Sequence, residues 1–118
     1  MDTTTSNTGN EQDEKVQQAL KQQINQYPLL LFMKGRPEQP QCGFSARAVS
    51  LLSQCGKPFA WVDILAEPQI RRNLPQVSEW PTFPQLFIQG ELIGGSDIIQ
   101  EMFDAGELKA LIDAVPAE

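Results

Sequence analysis

Five consecutive apolar residues, Leu29-Leu30-Leu31-Phe32-Met33, predict a buried strand that ends at Lys34-Gly35. Before them, Val16, Leu20, Ile24 and Tyr27 recur at helical spacing. They predict an amphipathic helix over 11–26, with Asn10 as its N-cap and Pro28 ending it. After the strand, Gly35 to Gln41 reads as a surface loop. Ala48, Leu51, Leu52 and Cys55 then mark a second helix, stopped by Gly56 with Pro58 beyond. Residues 59–64 predict another strand, apolar enough to be internal. Pro68 suits the first turn of a short helix carrying Ile70, Arg71, Arg72 and Leu74, which Pro75 is expected to interrupt or kink. Trp80-Pro81-Thr82-Phe83-Pro84 is too rich in proline for regular structure. Residues 85–89 and 91–93 flank Gly90 closely and read as an antiparallel hairpin. Gly94-Gly95-Ser96-Asp97 breaks the strand and caps a helix over 98–105. Gly106 separates this from a last helix that fades at Pro116.

The expected order is α-β-α-β-α-β-β-α-α. It predicts an α/β fold with a four-stranded mixed sheet flanked by helices on both faces. Residues 1–10, rich in Thr, Ser, Asn and Gly, read as a disordered tail ahead of one domain over 11–116. A chain of 118 residues builds a core without disulfide staples.

Charge and composition narrow the chemistry. A net charge of −6 argues against nucleic acid or an anionic membrane as the main partner, and no apolar run reaches membrane-spanning length. The N-terminus lacks the basic and apolar regions of a signal peptide. With two cysteines, this points to a reducing, cytoplasmic setting. The chain contains no histidine, which removes Ser-His-Asp and Cys-His catalysis. It also removes any histidine-bearing metal site built from this chain alone.

The candidate chemistry centres on Cys42-Gly43-Phe44-Ser45, where a loop hands over to the second helix. At a helix's first turn, unpaired N–H groups and the macrodipole favour an anion, so the Cys42 thiol is expected to ionise readily. The alternative, a small buried hydrophobe, is the commoner fate of a lone cysteine. Helix-start placement, nearby Lys34 and small neighbours favour a nucleophile or metal ligand. Where a dithiol motif has its second cysteine, this chain has Ser45. The other thiol, Cys55, lies along the same helix, roughly 20 Å away at ~1.5 Å rise per residue, which no disulfide spans. Cys55 reads as a core residue, and the chemistry of Cys42 must be completed from outside.

Three other features can converge on Cys42. Lys34 ends the first strand at the same end of the sheet. Phe83-Pro84 opens an internal strand, where a cis peptide would present the Phe83 backbone to an extended peptide. Gly94-Gly95-Ser96-Asp97 offers backbone N–H groups to a carboxylate and Asp97 to an amine. Read in isolation, that last segment is equally a strand end followed by an Asp N-cap. Arg71 is a further candidate for a carboxylate, and Arg72 should point elsewhere. Together they describe a groove for a small peptide with two carboxylates, an amine and a central thiol, the pattern of glutathione.

In order and spacing, Lys34-Gly35, Cys42-Gly43-Phe44-Ser45, Trp80-Pro81-Thr82-Phe83-Pro84-Gln85 and Gly94-Gly95-Ser96-Asp97 resemble the monothiol glutaredoxins of the CGFS type, over about residues 12–114. The resemblance implies a thioredoxin-like fold with a cis peptide before Pro84. It implies a glutathione site formed by Lys34, Cys42, Arg71, Phe83, Ser96 and Asp97, with Cys42 the redox-active residue and the sole cluster-ligating side chain. It further implies a [2Fe–2S] cluster held between two protomers, transfer to iron–sulfur acceptor proteins, and complexes with BolA-type proteins. Several relatives carry cysteine where this chain has Ser96, so a disulfide from that position is not open to it.

The leading expectation is therefore a cluster carrier, homodimeric when loaded and monomeric as the apo form, and an oxidoreductase only weakly if at all. The alternative is a monothiol oxidoreductase that reduces protein–glutathione mixed disulfides, Cys42 attacking and external glutathione resolving. A third reading is a binding module using the surface around Phe44 and Trp80-Pro81, with an incidental thiol.

Overall fold

All five residues of Leu29–Met33 are buried, which puts this strand in the middle of a sheet covered on both faces. The computed structural model describes residues 2–116, with side chains from Glu11; Met1, at the start of the expected tail, lies outside the described residues. In chain order the elements are α1 (Asp2–Gln26), β1 (Leu29–Met33), β2 (Gly35–Arg36), β3 (Gln39–Pro40), α2 (Gly43–Gln54), β4 (Ala60–Asp63), α3 (Pro68–Ser78), β5 (Gln85–Ile88), β6 (Glu91–Gly94), α4 (Ser96–Asp104) and α5 (Glu107–Asp113). The main sheet has the order β4-β1-β5-β6. β1 runs parallel to β4, with Leu30 opposite Ala60, and antiparallel to β5, with Leu30 opposite Phe87. β5 and β6 form the expected hairpin. This is the four-stranded mixed sheet that the sequence predicts.

Strand alternation divides the core in two. Leu29, Leu31 and Met33 pack with Ala48, Leu51, Leu52 and Cys55 of the α2 segment, and with Ile99, Leu108 and Ile112 from α4 and α5. Leu30 and Phe32 face the other way, onto Leu20 and Ile24 of α1 and Leu74 of α3. There Phe32 meets Phe87 edge to face, with ring centroids 5.7 Å apart. Burying each such side chain contributes about 1.5–3 kcal/mol, so β1 fixes both layers of helices at once. A polar clasp adds to the α1–α3 contact. Asp13 accepts from Arg72 at 2.8 Å and from Asn73 at 3.2 Å, while Gln17 donates to the Asn73 side chain at 2.9 Å. Arg72 thus points away from Cys42, as expected. Its hydrogen bond, with that of Asn73, holds the Asp13 carboxyl below the usual carboxylate range.

Four local expectations are corrected. The strand expected to be internal, β4, is an edge strand and exposes part of Trp61; β1, apolar at every position, takes the interior place. Of the two outcomes expected at Pro75, interruption does not occur: α3 runs through it to Ser78, because Leu74 is buried and Ile70 and Val77 pack beside it. Helix α1 continues back to Asp2, so Asn10 lies within it and is not its cap. Once a packed segment has nucleated a helix, each further turn adds only the easier propagation step. The expected loop over 35–41 holds a two-stranded ribbon, β2 paired with β3.

Candidate functional site

Cys42 is the N-cap of α2, one position before the expected first turn. Its backbone is extended (φ −155°, ψ 155°), and its sulfur accepts the Ser45 N–H at 3.3 Å, the bond a Ser or Asp oxygen ordinarily takes. Ser45 is fully buried. Its Oγ accepts the Lys34 N–H at 3.0 Å and lies 3.4 Å from Cys42 Sγ. A hydroxyl has one proton and two lone pairs. With one lone pair given to Lys34, Ser45 accepts from a neutral Cys42 and donates to its thiolate. Partial burial opposes ionisation of Cys42. The Ser45 hydroxyl, the Ser45 and Phe44 N–H groups and the Lys34 charge together outweigh it, holding the thiol below its ordinary value.

The approach to Cys42 is equally constrained. Gly35 has φ +89°, and a Cβ there would lie 2.7 Å from both Gln39 O and Gln41 N. Only glycine fits this turn. The Gly35 N–H donates to Asp63 Oδ1 at 2.9 Å and the Gln41 N–H to Lys34 O at 2.9 Å, so the β2–β3 ribbon returns the chain beside the end of β1.

Across from α2, the Phe83–Pro84 peptide is cis. Gln85, fully buried at the start of β5, donates from Nε2 to Trp80 O at 2.9 Å and Thr82 O at 3.1 Å, tying the proline-rich loop to the sheet. α4 begins at Ser96, with Gly95 as its N-cap and no side chain capping it. The expectation of an Asp N-cap is thereby corrected: Asp97 sits in the first turn, and its Oδ1 lies 3.3 Å from Arg47 Nη1 on α2. The Ser96 side-chain oxygen is buried and has no partner among the described residues. A groove of about 240 Å3 runs between these pieces, with Phe44, Phe83, Ser96 and Asp97 in its lining. Phe44 is 56% exposed.

Of the expected site residues, the structure brings Phe83, Ser96 and Asp97 into one groove. Lys34 and Cys42 are coupled through Ser45, and Cys42 lies two residues along the chain from Phe44 in the groove wall. Arg71 is not part of the lining; it belongs to the early turns of α3, where its N–H donates to Glu67 O. Cys55 is the C-cap of α2, buried in the core, and burial pushes its thiol up. Sequence reasoning missed Ser45 as a participant, and it missed Arg47. Ser45 had a signal, a polar residue on the Ala48–Leu52 face of α2; Arg47 had none, because its partner is fifty residues away.

A single low-pKa thiol capping a helix beside a cis-proline loop defines a thiol-based redox or ligand-binding site on a thioredoxin-like fold. The glutaredoxin family profile matches residues 29–93. Over 89 residues the chain is 65% identical to a protein named as a monothiol glutaredoxin, GrlA, of Legionella pneumophila, covering 75% of this chain and all of that one. It is 61% identical over 93 residues to glutaredoxin 4 of Haemophilus ducreyi, covering 79% and 87%. Among solved structures, reduced apo GrxS14 of poplar aligns with a TM-score of 0.71 at 41% identity, over 83% of this chain and 90% of that one. A buckwheat glutaredoxin–glutathione complex aligns with a TM-score of 0.78 at 28% identity, over 91% and 97%. The chain belongs to the glutaredoxin family, among its monothiol members.

Proposed function

We propose that the protein binds a [2Fe–2S] cluster and transfers it to acceptor proteins, with glutathione as co-ligand. The observation that carries this reading is the isolation of a reactive thiol. Cys42 is accessible and readily ionised, Ser45 stands where a resolving cysteine would be, and Cys55 is buried beyond the far end of α2. Among the described residues no three His, Cys, Asp or Glu side chains gather as a metal site. A [2Fe–2S] cluster takes four ligands, usually thiolates. One chain supplies one, so two Cys42 thiolates and two glutathione thiols complete the set in a homodimer. The apo form is a monomer. A BolA-type partner contributing an imidazole, which this chain lacks, replaces one half of that assembly. The setting is the reducing cytoplasm, where Cys42 stays a free thiol.

In the glutathione site, the tripeptide lies in the groove. The Phe83 backbone pairs with its central residue, the α4 N–H groups and Ser96 meet its glutamyl carboxylate, and Asp97 meets its amine. Lys34 receives the other carboxylate beside Cys42. Arg71, on α3 outside the groove lining, is the second cation for that carboxylate. The buckwheat neighbour, solved as a glutathione complex, supports the ligand class. The test is size-exclusion chromatography of reconstituted protein, then incubation with an apo [2Fe–2S] ferredoxin. Dimeric loaded protein that converts the ferredoxin to its holo form supports the reading; no transfer refutes it.

The lowered thiol pKa also favours a second reading, reduction of protein–glutathione mixed disulfides. The Cys42 thiolate attacks the glutathione sulfur, the protein thiolate leaves, and a Cys42–glutathione disulfide forms. A second glutathione thiolate then attacks that sulfur and releases Cys42 and glutathione disulfide. Turnover matching a dithiol glutaredoxin would make this the main activity.

A further inference from the structure

One ion pair joins the two helices that flank the groove, and the proposed ligand contacts do not use its cation. Arg47, on α2, places Nη1 3.3 Å from Oδ1 of Asp97, in the first turn of α4. Both side chains are substantially exposed, so the pair adds little to stability. Its position matters more, because Asp97 lines the groove.

We propose that Arg47 is a specificity-determining residue: it makes the Asp97 rim select an α-amino-acid end, with ammonium and carboxylate on one carbon, over a bare ammonium. This deepens the glutathione reading and rests on it. An isolated aspartate attracts any cation. With a guanidinium already on Oδ1, a bare ammonium must share the carboxylate with a like charge. A zwitterion avoids that conflict by presenting its own carboxylate to the cation. The contact is made by Nη1 alone, so the planar fork keeps donors for a second carboxylate. The same rim carries the start of α4, which no side chain caps. It also carries Ser96, 6% exposed, whose Oγ has no partner among the described residues. These groups complement the carboxylate half, and Asp97 complements the ammonium half.

The experiment is calorimetric titration of the reduced full chain with three probes. Glutathione carries both groups, 4-aminobutanoyl-cysteinyl-glycine lacks the α-carboxylate, and glutaryl-cysteinyl-glycine lacks the ammonium. Arg47→Gln is expected to weaken glutathione and the glutaryl probe by about two- to fivefold, the range of an exposed charge pair. It should leave the bare-amine probe unchanged or tighter, and Arg47→Lys should keep most of the wild-type discrimination. An unchanged ratio of glutathione to bare-amine affinity in Arg47→Gln would overturn the proposal. So would weaker binding of all three probes by one factor, because that signals a structural effect. Wild-type protein that binds none of the probes would remove the glutathione reading itself. A circular dichroism spectrum confirms that each variant is folded.

Discussion

Ser45 holds Cys42 from two sides: its backbone N–H donates to Cys42 Sγ at 3.3 Å, and its hydroxyl oxygen lies 3.4 Å from the same sulfur. The hydroxyl is aimed by the Lys34 N–H, so strand β1, helix α2 and the thiol form one unit. Thiol reactivity follows the ionised fraction, and the Cys42 thiol titrates below its ordinary value. A pH series of alkylation rates should therefore have its midpoint below that of a free cysteine. Ser45→Ala should move it upward, with Ser45→Thr intermediate. The stability linkage has the matching sign. Because the folded pKa is depressed, the contribution of Cys42 is present above the unfolded value and lost as pH falls through the folded one. Ser45→Ala flattens that part of the stability curve.

Gly35 is the hinge of the approach to the thiol. Gly35→Ala forces a Cβ against Gln39 O and Gln41 N at a positive φ. Strain of this kind costs about 1–3 kcal/mol. Urea titration should show that loss, and Cys42 alkylation at fixed pH should change with it, because Gln41 directly precedes Cys42. Unchanged stability would mean that the ribbon shifts freely.

The chain made most of this architecture readable for a physical reason. An unbroken apolar strand at 29–33, two amphipathic helices on either side of it and a hairpin at Gly90 are local patterns, and each survived. What failed was decided at a distance. β4 is as apolar as an internal strand, yet its place at the edge depends on which neighbours β1 takes. Pro75 is a helix breaker locally, but the burial of Leu74 overrides it. At the site, Cys42, Phe83, Ser96 and Asp97 stood out by residue type and motif. Ser45 and Arg47 gain their roles only from Lys34 and Asp97, which the fold brings to them.

Lys57 closes the far end of the molecule. From the turn after α2, its Nζ donates to Ile112 O, in the last turn of α5, at 2.9 Å and to Val115 O just beyond that helix. Lys57→Met keeps the aliphatic stem and removes the charge-assisted bonds. It should cost about 1–2 kcal/mol, given the partial exposure. A thermal melt should show this with Cys42 chemistry intact, and an equal Tm would argue that water replaces the lysine.

Cys55 is a test of selectivity. Buried and with its thiol pushed up, it should resist reagents that label Cys42. Mass spectrometry of the native protein should find one alkyl group per chain, at Cys42. Cys55→Ala should change neither the labelling rate nor glutathione binding.

The most direct measurement is the visible absorption and circular dichroism spectrum after anaerobic reconstitution with iron, sulfide and glutathione. Cys42→Ser and a glutathione-free sample serve as controls. A [2Fe–2S] spectrum on a dimer, absent from both controls, is the predicted result. No cluster on protein that is folded and still binds glutathione would contradict the carrier reading and leave the reduction of mixed disulfides as the function of Cys42.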